Sequence, residues 1–457
     1  IYKQLLFVNI MQQPVTFIVF GGTGDLMKRK LVPAFLSLFR RGVLHQDSVV
    51  IGVGRRPFND AEYKEFLCED SAEALDIQRL PFHYFMHDFE KNEGMQPLRL
   101  FIQSLGRKSD NMIHYLATHF SFFPGIVQQL KQSGLQNTQG FNRIAFEKPF
   151  GINLASSTML DREIHTVFSE EQIFRIDHYL AKETVQNIAA LKLTNPFFEQ
   201  LLSNELVERI ELVIDEELGV GNRLDSYNDV GAVKDMIQSH LLQVISLLLM
   251  DAPQSATADA LHDEKFSVLQ CLRPLEADRH LFGQYKGYLD EAQKYGIHDS
   301  KTETFAKIVL QCDNERWRGV DIVLRTGKRL AKKYGQIRVH FKAVSPAIAS
   351  AYTGIVPNQL VIDIYPRQDV HFSINSRKPQ SWHSVEQAEL EFCHEERFGP
   401  NTSDEYALLL ADIIEGDKML FTRFDELSES WRIVEQILPQ RDEIRFVTYD
   451  DGSDPEA

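Results

Sequence analysis

The chain has 457 residues, of which 43% are apolar and 25% charged, with neither Gly nor Pro enriched: a folded, water-soluble composition that excludes disordered and fibrous classes. Its 49 basic and 65 acidic residues leave a net charge of −16, a field that repels polyphosphate backbones and anionic lipid, so no nucleic-acid or membrane partner is expected. At roughly 150 residues per domain the length allows about three domains, or two large ones. The longest apolar stretch, Leu241 to Met250, is interrupted by Gln243 and Ser246 and is too short to span a bilayer. Cys68, Cys271, Cys312 and Cys393 show no CxxC spacing, which places the chain in a reducing compartment, the cytoplasm, and offers no metal site. Residues 1–10 resemble a weak signal core behind Lys3, but a strand-like run follows Pro14 with no cleavage site between; Met11 reads as the natural start.

In chain order, Val15 to Phe20 is a continuous apolar run, the pattern of a strand buried on both faces of a parallel sheet. It opens into Gly21-Gly22-Thr23-Gly24-Asp25-Leu26 and a helical pattern through Leu26, Leu31, Phe35, Leu38 and Phe39, broken near its start by Pro33. Ser48 to Val53 is a second buried strand. Backbone N–H groups between a buried strand and a helix start favour a phosphate, although Met27 stands where GxGxxG has its third glycine, so a plain tight turn is the alternative. The second strand leads into Gly54-Arg55-Arg56, where NAD-preferring sites place an acid; guanidinium groups there suit a 2′-phosphate and hence NADP, unless both simply face solvent. Met112 to Ala117 and Arg143 to Phe146 are further strands. The latter ends in Glu147-Lys148-Pro149-Phe150-Gly151, where Pro149 biases Lys148 towards extended backbone at the sheet edge that binds ligands. Residues 1–175 therefore read as an α/β, Rossmann-type doubly wound coenzyme domain.

From 176 to 457 the pattern predicts a larger α+β domain for catalysis and dimerisation. Helical stretches at 178–193 and 231–250 alternate with strand runs at 208–216, 305–311, 319–326, 337–343 and 358–366, several with the alternation of half-buried antiparallel strands. A helix beginning near Asp177 would put His178 and Lys182 on one face, with Tyr179 three before Lys182, converging on a phosphate; a chance pairing on a solvated face is the other reading. His240 lies in an otherwise apolar helix, as a base beside a carboxylate or as a core histidine. Residues 324–333 carry Arg325, Lys328, Arg329, Lys332 and Lys333, a basic run that either concentrates an anion or is a solvated loop. The terminal YDDGSDPEA reads as an exposed acidic tail.

Taken together and in this order, FGGTGDLMKRKL, FEKPFG, RIDHYLAKETVQNI, GAVKDMIQSHLLQ and LRTGKRL resemble the glucose-6-phosphate dehydrogenase family. PNQLVIDIYP and the run from Tyr406 to Trp431 extend that resemblance over nearly the whole chain. The resemblance implies oxidation of β-D-glucose 6-phosphate to 6-phospho-D-glucono-1,5-lactone with hydride transfer to NADP⁺, the entry step of the pentose phosphate pathway. It also implies that His240 is the catalytic base and Asp177 its partner, while His178, Tyr179 and Lys182 grip the phosphate. Lys148 would lie between substrate and coenzyme; Glu216, Asp235, Lys328 and Lys333 would hold the sugar or its phosphate, with Lys332 as the alternative to Lys333 and Lys30 as a further candidate. Coenzyme binding would fall to Gly21, Gly22, Thr23, Gly24, Asp25, Leu26, Arg55, Arg56 and Lys148, with no metal required. The resemblance further implies a homodimer, or a dimer of dimers, built on the large sheet. Ala181, Ser239 and Asp321 stand where the family has glycine, asparagine and proline, departures that bear on substrate affinity. An NADP-binding redox sensor or pseudo-enzyme on the same fold is the competing reading; the joint presence of Asp177, His178, Lys182 and His240 argues against it. A dehydrogenase for another sugar phosphate is a third.

Overall fold

The computed structural model describes residues 13–69, 73–89, 91, 94–399 and 404–456, so the expected extension at 1–10 and the start at Met11 lie outside the described residues. The chain forms two compact units: Ile1–Ala181 with Ser403–Phe424, and Lys182–Thr402 with Asp425–Ala457.

The first unit is built on six strands, β1 (Thr16–Phe20), β2 (Val49–Gly54), β3 (Phe82–Met86), β4 (Met112–Leu116), β5 (Asn142–Phe146) and β6 (Ile173–Arg175). All pairs are parallel and the order is β3-β2-β1-β4-β5-β6, a doubly wound sheet whose direction of winding reverses between β1 and β4. Every residue of β1 and β4 is buried, as the unbroken apolar runs require when helices cover both faces. After the glycine turn the helix winds as a π segment over Met27–Leu31 and continues as an α-helix over Val32–Arg40. Pro33 is the second residue of the α segment, directly after the π turns, and the helix runs on through the position where the sequence pattern had a break.

A helix from far along the chain, Glu405–Glu415, completes this unit. Tyr406, Leu409, Leu410 and Ile413 join Phe17, Val32, Phe35 and Tyr115 in one apolar core. Asp404 caps its start by accepting the Tyr406 N–H at 2.9 Å, and Arg143 of β5 donates to the Ile413 and Ile414 carbonyls at its end. The division expected at residue 175 treats this unit as one continuous stretch of sequence. The core instead recruits an apolar helix that is contiguous with it in space and not in sequence.

The second unit carries a sheet of ten strands: β7 (Val207–Asp215), β8 (Leu272–Pro274), β9 (Leu281–Tyr285), β10 (Phe305–Cys312), β11 (Asp321–Gly327), β12 (Tyr334–Phe341), β13 (Gln359–Tyr365), β14 (Asp369–Arg377), β15 (Val385–Cys393) and β16 (Arg445–Tyr449). The order is β15-β14-β13-β12-β7-β11-β10-β9-β16, with β8 also paired to β10. Only β7 with β11 and β9 with β16 run parallel; the other pairs are antiparallel. Strand β12 alternates buried and half-buried side chains along its whole length, the signature read in the sequence.

The helix expected over 178–193 begins only at Glu183. The Asp177 carboxylate accepts the Tyr179 N–H at 2.9 Å and its carbonyl the Leu180 N–H at 3.1 Å, closing a turn of its own. Lys182 then takes extended backbone (φ −66°, ψ 128°) as the residue before the helix. His178 and Lys182 therefore do not share a helical face. Among the described residues no helix is long and apolar enough to cross a membrane.

Candidate active site

In the first unit the glycine turn after β1 is held tightly against the sheet. The Gly21 and Gly22 N–H groups both donate to the Val53 carbonyl, at 2.9 and 3.0 Å, which draws the turn against β2. A Cβ on Gly22 would fall 2.5 Å from the Gly52 Cα; Gly21, with φ +90°, would place one 2.5 Å from the Ala117 carbonyl oxygen. The Gly24 N–H closes the turn on the Gly21 carbonyl at 2.9 Å, and the helix starts at Asp25, so Thr23 and Gly24 stand at its positive end. Asp25 is exposed and pairs with Arg29, whereas Leu26 packs on the core.

Arg55 and Arg56 lie exposed at the end of β2, and the Arg56 guanidinium rests on the Phe66 ring at 4.8 Å. Lys148 follows β5, half-buried. Beside it, Glu147 accepts the Tyr115 hydroxyl at 2.6 Å; burial pushes its carboxyl up to about 7 despite that hydrogen bond. After β6, Asp177 is buried (3% exposed) under the turn that presents His178 and Tyr179, whose rings lie 5.1 Å apart. Lys30 has its ammonium 5.9 Å from the Tyr406 ring.

The second unit contributes His240 and a charged triad. The helix expected over 231–250 is present in two windings, π over Val233–Leu241 and α over Leu242–Leu249. The Leu242 N–H donates to the Ile237 carbonyl, five residues back, a winding found often at functional sites. His240 is 1% exposed within it. Asp235 lies in its first turn, 3.6 Å from the Lys328 ammonium, which is also bonded to Glu216. Glu216, Asp235 and Lys328 are thus gathered although they come from the end of β7, a helix and the end of β11. Lys182 and Lys333 approach one ring, Tyr365, at 5.8 and 5.6 Å, whereas Lys332 sits over Tyr334 at 4.7 Å.

The basic run at 324–333 does not act as a unit. Arg325 is held by Asp215, Asp454 and Glu456, and Arg329 by Glu291 and Asp451, so the acidic end of the chain, mostly exposed as expected, also pairs with β11 and the turn after it. Lys328 is paired with Glu216 and Asp235, and Lys332 and Lys333 lie over the Tyr334 and Tyr365 rings. The departures from family pattern are also accommodated. Asp321 is bound by Arg279 at 2.6 Å and by the Gln311 amide at 3.0 Å, at the start of β11 and far along the strand from Lys328. Ala181 is buried in the core, and Ser239 donates to the Lys234 carbonyl at 2.9 Å.

Glu147 was not singled out from the sequence; its only local signal is a carboxylate beside Lys148, because Tyr115, the partner that defines it, comes from another strand. Asp215, pushed up to about 6 by burial despite Arg325, was missed for the same reason.

Residues 18–187 match the family described as "Glucose-6-phosphate dehydrogenase, NAD binding domain", and residues 189–457 match "Glucose-6-phosphate dehydrogenase, C-terminal domain". The glucose-6-phosphate 1-dehydrogenase of Borreliella burgdorferi is 34% identical over 456 residues, covering 96% of this chain and 94% of the relative. That of Bacillus subtilis is 35% identical over 452 residues, covering 93% and 91%. Among solved structures, a glucose-6-phosphate dehydrogenase in complex with its substrate glucose-6-phosphate superposes with a TM-score of 0.88 at 31% identity, covering 97% of this chain and 96% of that one. The Mycobacterium avium glucose-6-phosphate 1-dehydrogenase gives 0.85 at 29%, covering 96% and 94%.

Proposed function

The chain belongs to the glucose-6-phosphate dehydrogenase family, and we propose on that premise how its own residues carry the reaction, with NADP⁺ as the coenzyme and β-D-glucose 6-phosphate as the substrate. It is an oxidoreductase with a dinucleotide-binding domain, hence a user of a nicotinamide coenzyme. The alternative of a sensor or pseudo-enzyme has no support in these comparisons.

The observation that carries the residue assignments is the gathering of Glu216, Asp235 and Lys328 in the unit that buries His240, one turn on from Asp235 in the same helix. An ammonium between two carboxylates presents both donors and acceptors to sugar hydroxyls. His240 takes the proton of the C1 hydroxyl as hydride leaves C1, a role typically worth about 10²- to 10⁴-fold. Asp177 is its carboxylate partner, favouring the imidazolium as it forms. His178, Tyr179, Lys182 and Lys333 take the phosphate; Tyr365, flanked by both lysines, favours Lys333 over Lys332.

The coenzyme supplies the hydride acceptor. Its pyrophosphate is received by Gly21, Gly22, Thr23 and Gly24 at the helix start, with Asp25, Leu26 and Lys148 around it, and its 2′-phosphate by Arg55 and Arg56. The tightness of the turn supports this, since a side chain on Gly21 or Gly22 would strike the backbone of Ala117 or Gly52 and push the helix start away from the sheet. On this reading the unit of β1–β6 serves coenzyme binding and the rest of the chain catalysis and dimerisation. A homodimer through the ten-stranded sheet is supported by exposed Leu390 and Phe392 on its edge strand β15, and a cytoplasmic location by the free cysteines.

The test is an absorbance assay of coenzyme reduction with glucose 6-phosphate, glucose and galactose 6-phosphate, each with NADP⁺ and NAD⁺. NADPH formation with glucose 6-phosphate is expected. Folded protein that forms none sinks the reading.

A further inference from the structure

Glu303 lies just before β10 and is 0% exposed. Its carboxylate meets the start of the helix that carries Asp235 and His240: one oxygen accepts the Val233 N–H at 3.2 Å. Its backbone carbonyl accepts the Ala232 N–H at 2.9 Å and the Tyr227 hydroxyl at 3.3 Å. Donors at a helix start have no partner within the helix, and a negative charge there is favoured by the helix dipole. Arg441 binds the other carboxylate oxygen. The approach is close enough to dictate the residue opposite, because a Cβ on Gly231 (φ +69°) would fall 2.3 Å from the Glu303 oxygen. The next residue extends the tie: the Thr304 carbonyl accepts the Lys328 N–H at 2.9 Å. One dipeptide, remote in sequence from both, therefore fastens the helix of Asp235 and His240 to the turn of Lys328.

We propose that Glu303 is a positioning residue for the reaction, setting the rotation and depth of the helix start so that Asp235 meets Lys328 and His240 is held at a fixed place one turn further on. The inference rests on the reading of His240 as the base and of Lys328 and Asp235 as sugar-holding groups; Glu303 itself acts only through them. A merely structural ion pair with Arg441 would affect stability and leave turnover per folded molecule unchanged.

The experiment compares Glu303→Ala and Glu303→Gln in wild-type and His240→Asn backgrounds, with folding checked by circular dichroism and NADP⁺ affinity. Glu303→Ala is expected to lower kcat about 10- to 100-fold with the coenzyme KM within about twofold, and Glu303→Gln, which keeps an acceptor for Val233, to recover most of that loss. In the His240→Asn background Glu303→Ala should lower kcat less than about threefold, because the base whose placement sets kcat is gone. A folded Glu303→Ala with near-normal kcat, or an equal loss in both backgrounds, overturns the inference. If Glu303→Ala does not fold, Glu303→Asp withdraws the oxygen from Val233 by one methylene and is decided by the same outcomes. Folded wild-type protein inactive with glucose 6-phosphate would instead overturn the underlying reading.

Discussion

In the unit built on β1–β6, Glu147 rests against the Tyr115 hydroxyl, and burial pushes its carboxyl up to about 7. In the unit built on β7–β16, Glu426 is more deeply buried, yet although burial raises it, Lys265 at 3.0 Å and His262 at 2.7 Å hold its carboxyl down to about 2. The first unit also holds a buried pairing, Arg175 with Asp161 and Glu170, but its candidate ligand-binding residues are arranged differently from those of the second. The first unit places a tight glycine turn at a helix start, with Arg55 and Arg56 exposed at the end of β2. The catalytic unit compensates charge with charge: Lys328 with Glu216 and Asp235, Glu303 with Arg441, Arg325 with Asp215. Removing a side chain from the first should change affinity or pH response. Removing one from the second leaves a buried partner uncompensated, and the cost is larger.

The largest effect is expected at Glu426. Its replacement by Ala should cost about 3–5 kcal/mol of unfolding free energy by denaturant titration, since Lys265 is then buried unpaired, while Glu426→Leu with Lys265→Met should cost much less. Equal losses for both would erase the contrast between the units. Next, His240→Asn should lower kcat by at least about 10²-fold with KM little changed, because a base acts in the transition state; near-normal turnover excludes His240 as the base. In the coenzyme unit, Arg55→Ala with Arg56→Ala should weaken NADP⁺ binding by roughly 10-fold or more and NAD⁺ hardly at all, read by fluorescence titration. Equal losses would show that the arginines do not read the 2′-phosphate.

The smallest effect concerns pH. Glu147 has a folded value raised from 4.5 to about 7, so its contribution to stability is fully present below about 4.5 and is lost as pH rises through about 7. Glu147→Gln should therefore gain stability over wild type across that window, seen as a flatter melting temperature against pH. Glu426 has the opposite sign: its contribution is present above 4.5 and lost as pH falls towards 2. A Glu147→Gln profile parallel to wild type would show that the Glu147 carboxyl is not raised.

Much of the fold was legible where the reporting pattern is local. The buried run of β1, the glycine turn and the alternation of β12 and β13 each state a burial environment through a few consecutive residues. The helix start was misplaced because helical spacing from 178 onward does not register that the Asp177 side chain closes a competing turn. Strand β15 was missed because its apolar residues, Leu390 and Phe392, face outward and produce no buried pattern.

By itself the sequence determined the parallel coenzyme fold, the order of the motifs and the chemical types at the candidate site, because these depend on neighbours within a few residues. Only the tertiary structure decided which charges are paired with which. Arg325 and Arg329 are claimed by acids more than a hundred residues away, Lys328 is placed between Glu216 and Asp235, and Glu303 is set against the helix of His240. The net charge of −16 argues against polyanionic partners over most of the surface. It could not show that the acidic end of the chain would pair with part of the basic run, because Coulomb energies depend on distances that folding alone sets.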